Sequence, residues 1–253
     1  EYKINYTPSG TNIGNVWVDA SGNKTDGNMY GLRKAVHNLV KTKMQSAIAS
    51  NDDIRSEINA FNVIAAPGFP EMLDEMISLS TDRRNTAFVI GDTPFRLKAD
   101  ATSITNWASN ANSASENGED GLVSSSPYAA VYYPSALATN LDGTNVVVPA
   151  SHVALRTIAF NDNVSFPWFA PAGYQRGLVD NASSVGYVDP TTGEYVSVTL
   201  NEGQRDTLYQ NKVNPIASFP GRGLAVFGQK TLNPTASALD RINVRRLLIR
   251  VKK

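Results

Sequence analysis

The sequence predicts an α/β fold: a parallel-rich sheet with helices on both faces, followed by part of a small α+β C-terminal domain. Three observations carry this. Short apolar runs at 61–66, 86–90 and 128–133 read as buried strands. Segments of helical period stand between them. The alternation of strand, turn and helix is the order that right-handed crossovers in a parallel sheet produce.

Taken in order, 1–6 reads as a short strand, and Thr7 to Asp26 as a loop with one more strand around Val16-Trp17-Val18. From Met29 the period changes, and Leu32, Val36, Leu39, Val40, Met44, Ala47 and Ile48 fall on one helical face. Asp52 to Phe61 reads as a second short helix. Pro67-Gly68 stops the first buried strand, and Met72, Leu73, Met76, Ile77 and Ser80 mark a helix over 70–80. Gly91-Asp92-Thr93-Pro94 ends the second strand, and a helix follows over 102–111. The polar tract Asn112 to Ser126 reads as an exposed loop. Beyond the third strand, 146–148 reads as an extended edge, and Pro149-Ala150-Ser151 opens a helix through Phe160. A hairpin is expected over 187–200 about Asp189 to Gly193.

A domain boundary is placed near Leu200, giving units of 1–200 and 201–253. Asn201 caps a helix over 202–209. Pro215, Pro220, Gly221 and Gly223 read as turn punctuation before a strand at Leu224 to Phe227 that is apolar on both faces. That strand is expected beside an incomplete sheet edge. Asn233-Pro234 breaks the chain, Ser237 is placed to cap, and a basic helix closes it. The chain opens on Glu1 and stops on Lys253 within a helical pattern, so it is expected to be a piece of a longer protein.

A formal net charge of zero over 253 residues gives no whole-molecule attraction to nucleic acid or to a membrane surface. With no cysteine there is neither a disulfide framework nor a thiolate metal site, and two histidines leave little for a histidine cluster. No apolar run is long enough to span a bilayer as a helix, and no signal peptide is seen.

Two stretches carry a family resemblance. The first holds Pro220, Gly221, Gly223, Gly228, Thr231, Leu232, Asn243, Val244, Arg245, Arg246 and Leu247. The second holds Ala170, Pro171, Ala172, Gly173, Arg176 and Gly177. In order and density these resemble contractile tail sheath proteins of large tailed bacteriophages and related injection machines. Asn62, Pro67, Gly68, Asp92, Pro94, Tyr132, Tyr133 and Pro134 stand where that family places strand-end turns. The resemblance implies a subtilisin-like topology without the catalytic triad. It also implies a structural subunit of the virion that is assembled in the host cytoplasm. Its partners would be its own copies in helically stacked hexameric rings, the tail tube protein, and the baseplate and tail terminator proteins. No cofactor, nucleic acid or membrane is implied. Pro171, Gly173, Gly177, Gly221, Gly223 and Gly228 would be structural turns.

The alternative is a serine hydrolase on the same topology. It requires a histidine base oriented by a carboxylate beside an exposed serine. Only His37 and His152 are candidates; Ser151 neighbours His152 in sequence, but adjacent helical residues do not face each other, and no G-x-S-x-G elbow occurs. Gly223 to Thr231 misses a phosphate-binding loop because Gln229 stands between the second glycine and the lysine. Asp52-Asp53, Asp74-Glu75 and Glu116 to Asp120 lack calcium-loop spacing, and Asp82-Arg83-Arg84 reads as a helix-end charge group.

The terminal helix holds the basic concentration: Arg241, Arg245, Arg246, Arg250, Lys252 and Lys253. Val244, Leu247, Leu248 and Val251 form one apolar stripe and Ile242 with Ile249 a second, so the helix is expected to meet protein on two sides. The cations between the stripes read either as a solvated face or as a contact with an acidic partner, the tube or a neighbouring subunit.

Overall fold

The structure is a computed structural model that describes residues 2–6, 12–18, 31–114 and 118–252, with side chains from residue 37. Strands β1 (Tyr2–Tyr6) and β2 (Asn12–Val18) pair antiparallel, and helix α1 (Gly31–Ser50) follows. The loop expected around them, at 7–11 and 19–26, lies outside the described residues. Next come β3 (Val63–Ala65), α2 (Leu73–Asp82), β4 (Phe88–Asp92), α3 (Ala101–Ala108) and β5 (Ala129–Tyr133). A second group holds β6 (Ser135–Thr139), β7 (Asn145–Val148), α4 (Ala150–Val164), α5 (Gly173–Arg176), β8 (Ser184–Val188) and β9 (Tyr195–Ser197). The chain then forms α6 (Glu202–Gln210), β10 (Val213–Phe219), β11 (Gly223–Val226) and α7 (Ile242–Lys252).

The central sheet has the order β11-β10-β5-β4-β3. Its strands β3, β4, β5 and β10 run parallel, and β11 returns antiparallel. A smaller antiparallel sheet has the order β7-β6-β8-β9. Alternate residues of β4 and β5 point into two separate cores. Val89, Ala129, Val131 and Tyr133 meet Met72, Leu73 and Met76 around α2, Ile104 and Trp107 of α3, and Leu208 of α6. Phe88, Ile90, Ala130 and Tyr132 meet Val153, Ala154 and Ile158 of α4 and Ile242 and Ile249 of α7. Both faces are covered, which is why these strands read as unbroken apolar runs. Each large aliphatic side chain fully buried there contributes about 1.5–3 kcal/mol.

The structure departs from the sequence reading at several places. Asp52 to Phe61 is a single 3₁₀ turn, Asp53–Arg55, and not a helix. The Arg83 guanidinium donates to the carbonyls of Ile54, Ser56 and Asn59 at 2.8, 2.6 and 2.9 Å, so a buried cation takes the acceptors that helical amides would use. The tract 112–126 is not uniformly exposed: Trp107 Nε1–H donates to the Gly118 carbonyl at 2.7 Å, and Ser126 is buried. Strand β6 carries only small residues and Leu137, and it gave no apolar pattern to read.

The largest difference is β10. Pro215, read as a turn residue, lies inside a seven-residue strand paired with Tyr133 of β5. The sheet therefore runs across the position at residue 200 where the sequence places a boundary. Pro215 has no N–H for the ladder, and its carbonyl accepts from Phe227 N–H at 2.8 Å where β11 ends. The neighbouring side chain completes the junction. Asn214, fully buried, donates to Val131 and Lys230 carbonyls at 3.0 and 2.8 Å and accepts from Lys230 N–H at 2.7 Å.

Gly228 fits this junction only without a side chain: a Cβ would stand 2.8 Å from Asn214 Oδ1 and 2.9 Å from Pro215 Cδ. At Gly177 a Cβ would run into the Val226 carbonyl oxygen. We expect Gly228→Ala and Gly177→Ala each to lower unfolding free energy by roughly 1–3 kcal/mol, the usual effect of overpacking. Urea titration checks this, and an unchanged midpoint would show that the junction yields freely.

Candidate functional site

Two regions bear on function: the outer surfaces of α7 and of the β11 edge, and a polar junction at the carboxyl end of the sheet. In α7 the stripe of Ile242 and Ile249 is buried against the sheet, whereas Leu247 and Val251 are 37% and 73% exposed. The cations do not act as one face. Arg246 is turned inward, 4% exposed, and both its terminal nitrogens bond the Asp162 carboxylate of α4. It is therefore a clamp between α7 and α4, and this corrects its expected place on a contact surface. Arg245 lies over the Tyr128 ring at 5.3 Å, and Lys252 donates to the Tyr128 hydroxyl at 3.3 Å. Arg241 pairs with Asp240 at 3.0 Å. Arg250 is exposed on the rim of a cleft with Ala60, Phe61 and Pro167, and Lys253 lies outside the described residues. The capping expected of Ser237 is local: its hydroxyl accepts from Leu239 N–H at 3.1 Å, upstream of α7.

The glycine turns of both resembling stretches converge on β11. Pro220 and Gly221 occupy the centre of a turn closed by Arg222 N–H to the Phe219 carbonyl at 3.0 Å, with Gly221 at φ +71°. That is the residue order of a type II turn. Gly173, at φ +83°, starts α5 after the buried Pro171, and the chain then leaves through Gly177 along the outer edge of β11. There Val226 N–H donates to the Gly177 carbonyl at 2.7 Å, and Val179 N–H donates to the Leu224 carbonyl at 3.0 Å. The edge expected to be open is thus occupied by the chain itself. Sequence reasoning missed the aromatic cluster that Tyr174, Phe219 and Phe227 build beside this edge. The available signal was an aromatic residue flanking each glycine turn.

The polar junction joins the end of β4 to the start of α4. Asp92 accepts from Ser151 N–H at 2.6 Å, from Ser151 Oγ–H at 2.8 Å and from Gly68 N–H at 2.9 Å. A carboxylate at a helix start meets free amides and the positive end of the helix dipole. Burial nevertheless dominates and pushes the Asp92 carboxyl up to about 6 against those donors. Ser151 is fully buried and bonds the aspartate directly, with no imidazole between them. His152, next in the chain, is exposed. His37 stacks on Phe69 and bonds Glu71 at 3.2 Å. A triad needs the histidine between serine and carboxylate, and the described residues do not build one. Among them there is also no cluster of three metal-ligating side chains, and no helix long and apolar enough to cross a membrane.

No family model matches the chain. Over 150 residues, 59% of its length, the chain is 33% identical to the tail sheath protein of Enterobacteria phage T4. Over 95 residues, 38% of its length, it is 41% identical to the tail sheath protein of Vibrio phage KVP40. The chain resembles tail sheath proteins. The matched regions span only 21% and 12% of those relatives' own lengths. Among solved structures, the anti-feeding prophage baseplate in contracted state is similar with a TM-score of 0.57 and 22% identity, over 81% of this chain and 50% of that one. The sheath complex of the PVC extracellular contractile injection system, in contracted state, gives 0.56 and 20%, over 81% and 49%. At such identities the likeness is one of fold alone: the α/β architecture of this chain recurs in these neighbours.

Two predictions follow from these contacts. The raised Asp92 pKa means that the native state holds this proton more tightly than the unfolded chain, whose value is 3.8. The resulting stability is complete below about pH 4 and is lost as pH rises to about 6, a change of roughly 3 kcal/mol. In Asp92→Asn this fall is expected to disappear, so that wild type exceeds the variant most at low pH. Denaturation at fixed pH values from 4 to 7 checks it, and parallel profiles would assign the titration elsewhere. Arg246→Leu leaves Asp162 unpaired and should cost about 2 kcal/mol, less than a fully buried pair because Asp162 is partly solvated. Adding Asp162→Leu should recover part of that loss, and full additivity of the two changes would argue against the clamp.

Proposed function

We propose that this chain belongs to the structural subunit of a contractile tail sheath. The subunit polymerises with its own copies as helically stacked hexameric rings around a tail tube, and it contracts to drive the tube through a host envelope. The observation that carries this reading is the 33% identity to the tail sheath protein of Enterobacteria phage T4 over 59% of the chain. The architecture agrees with it. Two cores and a doubly covered sheet make a stiff body, and the exposed apolar and charged residues sit on its surface where subunits can exchange contacts. Work of this kind is stored in packing between subunits that has two arrangements, so it requires no nucleotide, metal or active site. The partners are the tail tube protein and the baseplate and terminator proteins at the two ends. The place of action is the virion tail, after assembly in the host cytoplasm.

Within this reading Arg241, Arg245, Arg250, Lys252 and Lys253 are the charges offered to the tube or to a neighbouring subunit, and Arg246 is committed to Asp162. Exposed pairs of this type contribute about 0–1 kcal/mol each and act mainly on register and association rate.

Electron microscopy of the full-length protein tests the proposal. Sleeves or tubes are expected, and a protein that stays monomeric with and without the tube protein would overturn it. Reversing Arg241, Arg250 and Lys252 together is expected to weaken coating of tubes with strong salt dependence while tube-free polymers persist. Equal coating at low salt would remove these residues from the tube contact. Covalent labelling by a serine-directed phosphonate at Ser151 would favour the hydrolase reading instead.

A further inference from the structure

The central sheet ends in two unlike surfaces. At the β11 edge the Tyr174 and Phe219 rings meet edge-on at 5.0 Å, and Phe219 lies 4.8 Å from Phe227. Burial of this cluster is incomplete: Tyr174 is 38% exposed, Phe227 39%, and Leu178 alongside them 48%. Arg222 lies over the Tyr174 ring at 4.7 Å, and Arg176 over Phe169 at 4.0 Å. Neither guanidinium enters an ion pair among the described residues. A cation–π contact uses the face of the guanidinium and leaves its N–H fork suited to a carboxylate. Partly solvated aromatics beside arginine are the composition of binding hot spots.

At the other end of the sheet, residues 52–58 lead into β3. Asp52, Asp53 and Glu57 are exposed and enter no ion pair among the described residues. Ile58 follows them at 91% exposure. This turn is held rigid from beneath by the three hydrogen bonds from Arg83 and by the stacking of that guanidinium on Phe61 at 4.0 Å. A rigid acidic turn bearing one apolar side chain loses little conformational freedom on binding.

We propose that the aromatic and arginine cluster at the β11 edge receives the acidic turn 52–58 of a second copy of this chain. Ile58 packs on Tyr174 and Phe227, and Asp53 and Glu57 meet Arg222 and Arg176. The charges are complementary, and a net charge of zero over these 253 residues adds no overall repulsion between copies. The surfaces occupy opposite ends of one sheet, so the contact is head to tail. Such a contact closes into a ring or continues as a helix and does not stop at a two-fold dimer. The inference rests on reading the chain as a self-assembling subunit and names the residues that join its copies.

These 253 residues contain no cysteine, so Ile58→Cys with Leu178→Cys, with any cysteine elsewhere in the full-length protein replaced by serine, places one thiol on each surface. In the full-length protein under mild oxidation, the double variant is expected to give a ladder of dimers, trimers and higher species. Each single variant should stop at a dimer. By sedimentation, Arg222→Glu is expected to weaken self-association about tenfold, and adding Asp53→Arg with Glu57→Arg should restore it. No ladder while sleeves still form by microscopy overturns this contact and leaves the sheath reading standing. No ladder and no sleeves overturns both. Cross-linking of the residue-178 thiol to the tube protein alone, and never to residue 58, also overturns it.

Discussion

The arrangement of the C-terminal half depends on one buried carboxamide. Asn214 reaches from β10 to the β5 backbone on one side and to Lys230 on the other. Beside it Pro215 offers no N–H, so a side chain completes the junction where the ladder lacks a donor. With Lys230 fixed, Leu232 N–H reaches the Ala129 carbonyl at 2.8 Å and Ile242 N–H reaches that of Gln229 at 2.9 Å. Those bonds set where α7 begins. They thereby bring Ile242 and Ile249 onto the sheet and Arg246 onto Asp162. An ordinary surface loop between β11 and α7 would leave the helix free to settle elsewhere.

The glycines of this region answer to two demands. Gly173, Gly221 and Gly223 have φ of +83°, +71° and +79°, a backbone that side chains resist. Gly177 and Gly228 are not among the positive-φ glycines; neighbouring backbone closes on Gly177, and Asn214 and Pro215 close on Gly228. The first group shapes turns; the second lets chain segments touch. Both kinds are needed to wrap 177–179 along β11 and seat 228–230 against β10.

Much of the fold was legible because local chemistry agreed with the global packing. The runs AAVYY and FVIGD, covered on both faces, could be little else than central strands. The cap at Asn201 announced α6, and in the structure Gln204 completes it as a capping box. Legibility failed where a distant residue overrode a local signal. Pro215 reads as a break unless Gly228 is known to lie beside it. The segment after α1 reads as a helix unless Arg83, about thirty residues downstream, is known to hold its carbonyls. In α7 both apolar stripes were visible, yet nothing local says which one is buried or that Arg246 has Asp162 as its partner. The Asp92 junction joins residues 59 positions apart, and pattern alone could not pair them.

The order of the central sheet also sets its mechanics. Ladder hydrogen bonds lie across the strands. A load directed along β4 and β5, each flanked by two neighbours, stretches many such bonds at once in shear. A load directed from β3 to β11 meets them one row at a time, and the first row, at β3, is only three residues long. The body is therefore stiff along its strands and tears most readily at the β3 margin. Force entering through that margin is better borne by α1 and α2, whose side chains are tied by the bond from Gln45 to Glu75 at 2.7 Å, than by the strand itself.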